Sequence, residues 1–188
     1  DRFDDLRSAR APGARRHLVL GLNPVPEAEN VELFGAVSAA LAGAAGLEAL
    51  APVLRLHPSL AAERWAARVA AAPIPWTIST GDNTALLRET RFLLARRSTL
   101  TLDAAAAGAS VLELVGDGGR PPEFFEALPE SRIEPAGAGA ALIARLLDPS
   151  LEAALLDRQR ASFELEVEPG SAVQREAEVL RSLAGGRA

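Results

Sequence analysis

The 188-residue sequence contains no Cys, no Met and no Tyr, and its 20 basic residues are all Arg, so Lys is absent as well. These residue types share no physical property, so their loss reads as a genomic bias toward G and C. The absences still exclude chemistry. Without Cys there is no disulfide framework, thiolate metal site or thiol nucleophile. Without Lys there is no standard phosphate-binding P-loop and no Schiff base. The two histidines, His17 and His57, are too few for a His-rich metal centre.

Charge and hydropathy exclude more. A net charge of −5, with arginines scattered among acids, argues against nucleic acid as a partner. No apolar run is long enough for a transmembrane segment, and the amino terminus carries no secretory pattern. Apolar residues make up 48% of the chain, which fits a globular fold. The first residue is Asp1 rather than Met, so the expectation is a processed chain or part of a longer protein.

The length suggests one domain. Residues 1–16 are charged and punctuated by Gly and Pro, as in a linker or lead-in, which leaves 17–188 as the folded unit. His17–Leu22, Ala51–Leu56, Pro75–Ser79, Phe92–Arg96, Ser110–Val115 and Arg132–Glu134 read as short buried strands. Between them lie helical patterns. Asn30 is the expected cap of one with Val31, Phe34, Val37 and Leu41 at helical spacing. Leu60–Ala71 carries Trp65 and Val69, and Asp82 or Asn83 caps a segment ending near Glu89. Pro121–Leu128 and Ala138–Leu147 follow. Ser150 is expected to cap a long amphipathic helix broken by Pro169-Gly170, and Ser171 to start a last one. Six alternations with short turns predict an α/β fold: a Rossmann-like parallel sheet with helices on both faces.

The most informative stretch is Phe92 to Gly108. It reads as a buried strand, an abrupt hydroxyl turn at Ser98-Thr99, and a helix of small residues that Gly108 stops. Thr99 and Asp103 are four apart and so share a face near the helix start. Helix-start N–H groups beside hydroxyls suit a phosphate, and a carboxylate one turn on suits a ribose diol. The plainer alternative is that Ser98 only caps and Asp103 only faces water.

In a doubly wound sheet, ligands bind beyond the carboxyl ends of the strands. Asn23, His57, Ser79–Asp82, Ser98–Thr99 and Gly116–Gly119 all fall just after a strand. His57 there is either a phosphate donor or a histidine satisfied at a strand end, whereas His17 opens the first strand at the opposite end and reads as structural. Neither Gly21-Leu22-Asn23 nor Gly116–Gly119 has dinucleotide-fingerprint spacing, so hydride transfer is poorly supported. Glu113 and Asp117 have no spacing logic as a carboxylate pair.

Arg55-Leu56-His57-Pro58-Ser59 and Arg97-Ser98-Thr99-Leu100-Thr101-Leu102-Asp103-Ala104, running on through Gly108 to Val111, resemble the C-terminal half of GT-B glycosyltransferases. The similarity is to bacterial surface- and capsular-polysaccharide enzymes, with echoes of teichoic-acid glycerophosphotransferases, and spans roughly residues 17–185. It implies that His57, Ser98 and Thr99 hold the phosphates of a nucleotide-sugar donor and that Asp103 takes the ribose hydroxyls. Asn23, Ser79, Asp82 and Gly118 would be base or loop contacts. The donor would be a substrate, with no separate cofactor and no metal. The acceptor and the catalytic base would come from an N-terminal acceptor domain outside this sequence, so no catalytic residue is assigned and the isolated domain is expected to be inactive. The resemblance further implies a cytoplasmic location, at the inner membrane face through other parts of a longer protein. Asp103 stands where the family usually has Glu, and Ala109-Ser110 replaces its usual proline-containing pair. Two alternatives follow: a degenerate domain of this type kept as an interaction module, and a sugar-nucleotide epimerase of the same architecture.

Overall fold

A computed structural model of the chain describes Leu6 and residues 15–96, 98–114, 132–133 and 138–166. Strands β1 (His17–Gly21), β2 (Ala51–Arg55), β3 (Thr77–Ser79), β4 (Thr90–Ala95), β5 (Ser110–Leu114) and β6 (Arg132–Ile133) form one sheet. Its order is β3-β2-β1-β4-β5-β6, and every neighbouring pair is parallel. The described helices are α1 (Glu27–Ala42), α2 (Ala62–Ala70), α3 (Asn83–Glu89), α4 (Leu100–Ala106), α5 (Ala138–Leu147) and α6 (Pro149–Glu166). The Rossmann-like α/β class expected from the alternation is the one found. The expected Pro121–Leu128 helix, the Gly116–Gly119 loop and the helix after Ser171 lie outside the described residues.

The strands read as unbroken apolar runs because both sheet faces are covered. Leu18, Leu20, Leu54, Phe92, Leu94 and Leu112 point to one side, where they meet Phe34, Val37 and Leu41 of α1, Trp65 of α2 and Leu142 of α5. Phe34 anchors this layer, edge-on to Trp65 at 5.8 Å and tilted against Trp76 at 5.5 Å. Aromatic pairs of this kind contribute about 0.5–1.5 kcal/mol each beyond their buried area. Val19, Val53, Leu93, Ala95 and Val111 point to the other side, against Leu86 and Leu87 of α3 and the alanines of α4. Leu6, from the charged lead-in, is 1% exposed and packs in this second layer. No described helix is long and apolar enough to cross a membrane.

Caps explain most of the boundaries, with two corrections. The carboxylate of Asp82 accepts from Thr84 N at 3.1 Å and Ala85 N at 3.0 Å, as its position before α3 predicts. Asn30 is not a cap: α1 starts at Glu27 behind Pro26, and Asn30 is buried in its second turn, donating to Asn23 O at 2.8 Å. A proline with preset φ and acidic Glu27 and Glu29 in the first turn start α1 without a side-chain cap. Ser150 is not the cap of α6 either. Asp148 is, accepting from Ser150 N at 2.9 Å and Leu151 N at 3.2 Å, with Pro149 opening the helix. Gly108 stops α4 as expected, at φ +75°. Gly108 N donates to Ala105 O and Ala109 N to Ala104 O, both at 2.9 Å, the paired bonds of a Schellman ending.

Candidate ligand-binding rim

Parallel register aligns one row of residues across the carboxyl end of the sheet. Ser79 pairs with Arg55, Arg55 with Gly21, Gly21 with Ala95, and Ala95 with Glu113. Bridge partners share a face, so this row lies on the α3/α4 side. The loops leaving it carry Asn23, His57, Asp82, Ser98 and Thr99. The structure therefore brings the sequence-derived candidates to one rim; Gly118 lies outside the described residues. The chain reverses its direction of travel across the sheet between β1 and β4, and such a switch point is where doubly wound sheets open a crevice.

His57 is half-buried in the turn after β2. Its Nδ1 accepts the Ser59 amide at 3.2 Å and lies 2.8 Å from Ser59 Oγ. An Nδ1 that accepts a backbone N–H belongs to the neutral tautomer, which carries its proton on Nε2. The ring is thereby oriented by its own turn and keeps one N–H to donate. Pro58 fixes that turn, and Leu60 N closes it on His57 O at 2.8 Å.

Ser98 and Thr99 form a tight turn ahead of α4. Ser98 Oγ accepts from Leu100 N at 3.3 Å, and Ser98 O accepts from Thr101 N at 3.0 Å and Thr101 Oγ1 at 2.6 Å. Leu102 N donates to Thr99 O at 3.2 Å. The amides of Leu100, Thr101 and Leu102 are therefore engaged within the turn, and a phosphate here would have to exchange these intramolecular bonds for charge-assisted ones. Thr99 is exposed while Asp103 is only 3% exposed. The spacing that predicts a shared face does not give shared access to solvent, because six of the seven residues of α4 are buried, Asp103 among them.

Asn23 donates from Nδ2 to the carbonyl of Arg96, tying the loop after β1 to the loop after β4. Arg96 Nη1 approaches Glu29 Oε2 at 3.5 Å, and Asn30 holds the Asn23 carbonyl. The space beneath this tie, lined by Gly21, Asn23, Glu29, Asn30 and Arg96 among others, measures about 10 Å³, room for one water. Asp82 uses both carboxylate oxygens in its cap, and those amide bonds hold its carboxyl below the ordinary value. Ser79 ends β3, and its carbonyl accepts from Leu56 N at 3.2 Å.

Arg55 is a rim residue that reading by motif passes over. It is 9% exposed, and its Nη1 is buried without a hydrogen-bond partner. The available signal was a charged residue closing an otherwise apolar strand. Glu113, its counterpart across the row, is 1% exposed. At the opposite, amino end of the sheet lies an apolar groove of about 230 Å³ lined by Leu18, Leu41, Leu47, Leu50, Pro52 and Ile74 among others.

No protein-family model and no curated protein sequence matches the chain. Among solved structures it is similar to a variant of the wall teichoic acid polymerase TagF, at 14% identity and a TM-score of 0.48. The match covers 96% of this chain and 47% of that one, so the chain spans about half the length of that polymerase.

Proposed function

We propose that this chain is the donor-binding half of a GT-B-type glycosyltransferase that uses a nucleotide-linked sugar or polyol donor in glycan or surface-polymer synthesis. The observation that carries this reading is His57, turned and tautomerically fixed by Ser59 on the same rim as the Ser98-Thr99 turn. A neutral imidazole with its proton on Nε2 is a hydrogen-bond donor for a phosphate oxygen. Ser98 and Thr99 add hydroxyls, and the turn amides add fixed dipoles once their internal bonds yield. Such preformed donors stabilise charge as it builds on a departing nucleotide. The acceptor and the catalytic base belong to a separate domain in this reading, so the chain binds donor without turning it over.

A second reading, a domain of this architecture serving as an interaction module, is favoured by one feature. The amides of the α4 turn are satisfied internally, and Asp103 is buried too deeply to meet a diol without movement.

Calorimetric titration of the chain with UDP, CDP, CMP, GDP and ADP separates the two. The donor-site reading expects one nucleotide to bind and His57→Ala to weaken it by about 1–3 kcal/mol, the usual loss of a hydrogen bond to a charged group. A folded chain that binds none of the five sinks it and leaves the module reading.

A further inference from the structure

We propose that Arg55 is an oxyanion-binding residue, its buried guanidinium placed to take a phosphate group of a ligand seated at the carboxyl rim. Three observations support this. First, Arg55 is 9% exposed and its side chain has no hydrogen bond or ion pair among the described residues, with Nη1 sealed from solvent. A buried cation without a partner is costly, and proteins normally pair it or replace it with an apolar residue.

Second, the acid whose charge reaches Arg55, Asp82, does not fill that role. The charge of Asp82 is felt at Arg55, but burial outweighs it and pulls the guanidinium below its ordinary value. The Asp82 carboxylate is committed to Thr84 N and Ala85 N.

Third, the neighbour of Arg55 in the row is Gly21, which projects no side chain. The nearest atoms a Cβ there would meet, Leu100 Cδ2 at 3.4 Å and Ala95 Cβ and Leu94 O at 3.8 Å, lie at ordinary contact distance. The next partner, Ala95, is also small. One charged group thus ends a stretch of low side-chain volume at the switch point, two residues before His57. A phosphate there would satisfy a guanidinium that the protein leaves unsatisfied, with the bidentate geometry that Arg offers. The inference rests on the donor-site reading only for the ligand's identity; the oxyanion chemistry is carried by Arg55 itself.

The test uses the full chain with inorganic pyrophosphate and the nucleoside diphosphates as probes, comparing the native protein with Arg55→Met and Arg55→Lys. The expected result is that Arg55→Met weakens pyrophosphate about tenfold or more. It is also expected to melt at or above the native temperature in ligand-free buffer, since it removes an unpaired buried charge. Arg55→Lys retains part of the affinity. A native chain that does not bind pyrophosphate, or a folded Arg55→Met that binds it within about twofold, overturns the assignment.

Should Arg55→Met not fold, NMR of the native chain with labelled arginine decides. A guanidinium signal missing from Arg55→Lys that moves on adding pyrophosphate supports the site, and one that stays fixed overturns it. The two readings fail separately. Pyrophosphate binding with no gain from any nucleoside removes the donor reading alone, while nucleotide binding indifferent to Arg55→Met removes this inference alone.

Discussion

Gln159 presents its side-chain amide to Val111 as though it were a neighbouring strand. Its Oε1 accepts Val111 N at 3.0 Å and its Nε2 donates to Val111 O at 2.6 Å. In a parallel ladder both polar groups of one residue face the same side. Among the described residues β6 pairs with Glu113 and Leu114 and not with Val111, whose outer edge is taken by Gln159. Helix α6 closes it with one residue that is 1% exposed.

Gln159→Leu keeps the volume and removes both bonds, orphaning a buried N–H and a buried C=O. At about 1–3 kcal/mol for each group, the variant is expected to lose about 2–6 kcal/mol of stability, read as a lower urea midpoint at an unchanged slope. A loss below 1 kcal/mol, on the order of a surface substitution, would show that water replaces the amide.

An ion pair forms a further tie between α6 and the sheet. Arg91 in β4 grips Glu152 with two bonds, Nε at 2.9 Å and Nη2 at 2.6 Å, and the Glu152 side chain is 15% exposed. That hydrogen-bonded pairing raises the Arg91 guanidinium above its ordinary value. A double-mutant cycle on Arg91→Ala and Glu152→Ala is expected to give a coupling of about 1 kcal/mol, smaller in high salt. Additive single effects would mean that the pair contributes nothing to holding α6.

Acid should weaken two helix starts. Asp82 and Asp148 are both held below the ordinary carboxyl value of 3.8, Asp82 by the amides of Ala85 and Thr84 and Asp148 by the Ser150 hydroxyl and the Leu151 amide. A carboxylate depressed in the folded state contributes stability that is present above its unfolded value. That contribution is lost as pH falls through the lower folded value. The native protein is therefore expected to lose stability below about pH 4 more steeply than the Asp82→Asn, Asp148→Asn double variant, since Asn caps without titrating. Parallel acid limbs in thermal unfolding from pH 6 downward would refute the assignment.

Gly108 carries the sharp end of α4 at φ +75°, a region that costs a residue with a Cβ about 1–2 kcal/mol. Gly108→Ala is expected to lower stability by that amount and Gly108→Asn by less, measured by urea unfolding. Equal effects of the two would point to crowding rather than backbone strain.

The readable parts of this chain are those whose cause lies within a few residues. The strands announce themselves as apolar runs, and Gly108 as a stop and Asp82 as a cap because the bonds at those two ends span only two to five positions. Asn30 and Ser150 show where local reading fails. Both are good cap residues, but Pro26 and the Asp148-Pro149 pair start those helices first. The ties that set the edges are beyond local patterns altogether. Gln159 meets Val111 across 48 positions, Arg15 reaches the Ala107 carbonyl across 92, and Asn23 finds Arg96 across 73.

The rim itself followed from strand alternation, so His57, Ser98 and Asn23 arrive together as expected. What spacing did not reveal was access. A seven-residue helix of small side chains lies so close to the sheet that Asp103 is buried with it. Among the described residues Arg55 is a rim cation whose Nη1 is buried without a hydrogen-bond partner, and it sits where the apolar pattern shows only the tail of a strand.

The bond from Asn23 to the Arg96 carbonyl bears on how the molecule would respond to a guest. It joins two loops that leave the sheet in opposite directions, one toward α1 and one toward α4, so neither moves alone. Glu29 and Asn30 fasten the same knot to the first turns of α1. Anything wedged between β1 and β4 must untie that knot or drag both helix starts with it. A local intrusion at the crevice therefore becomes a displacement felt on both sides of the sheet at once.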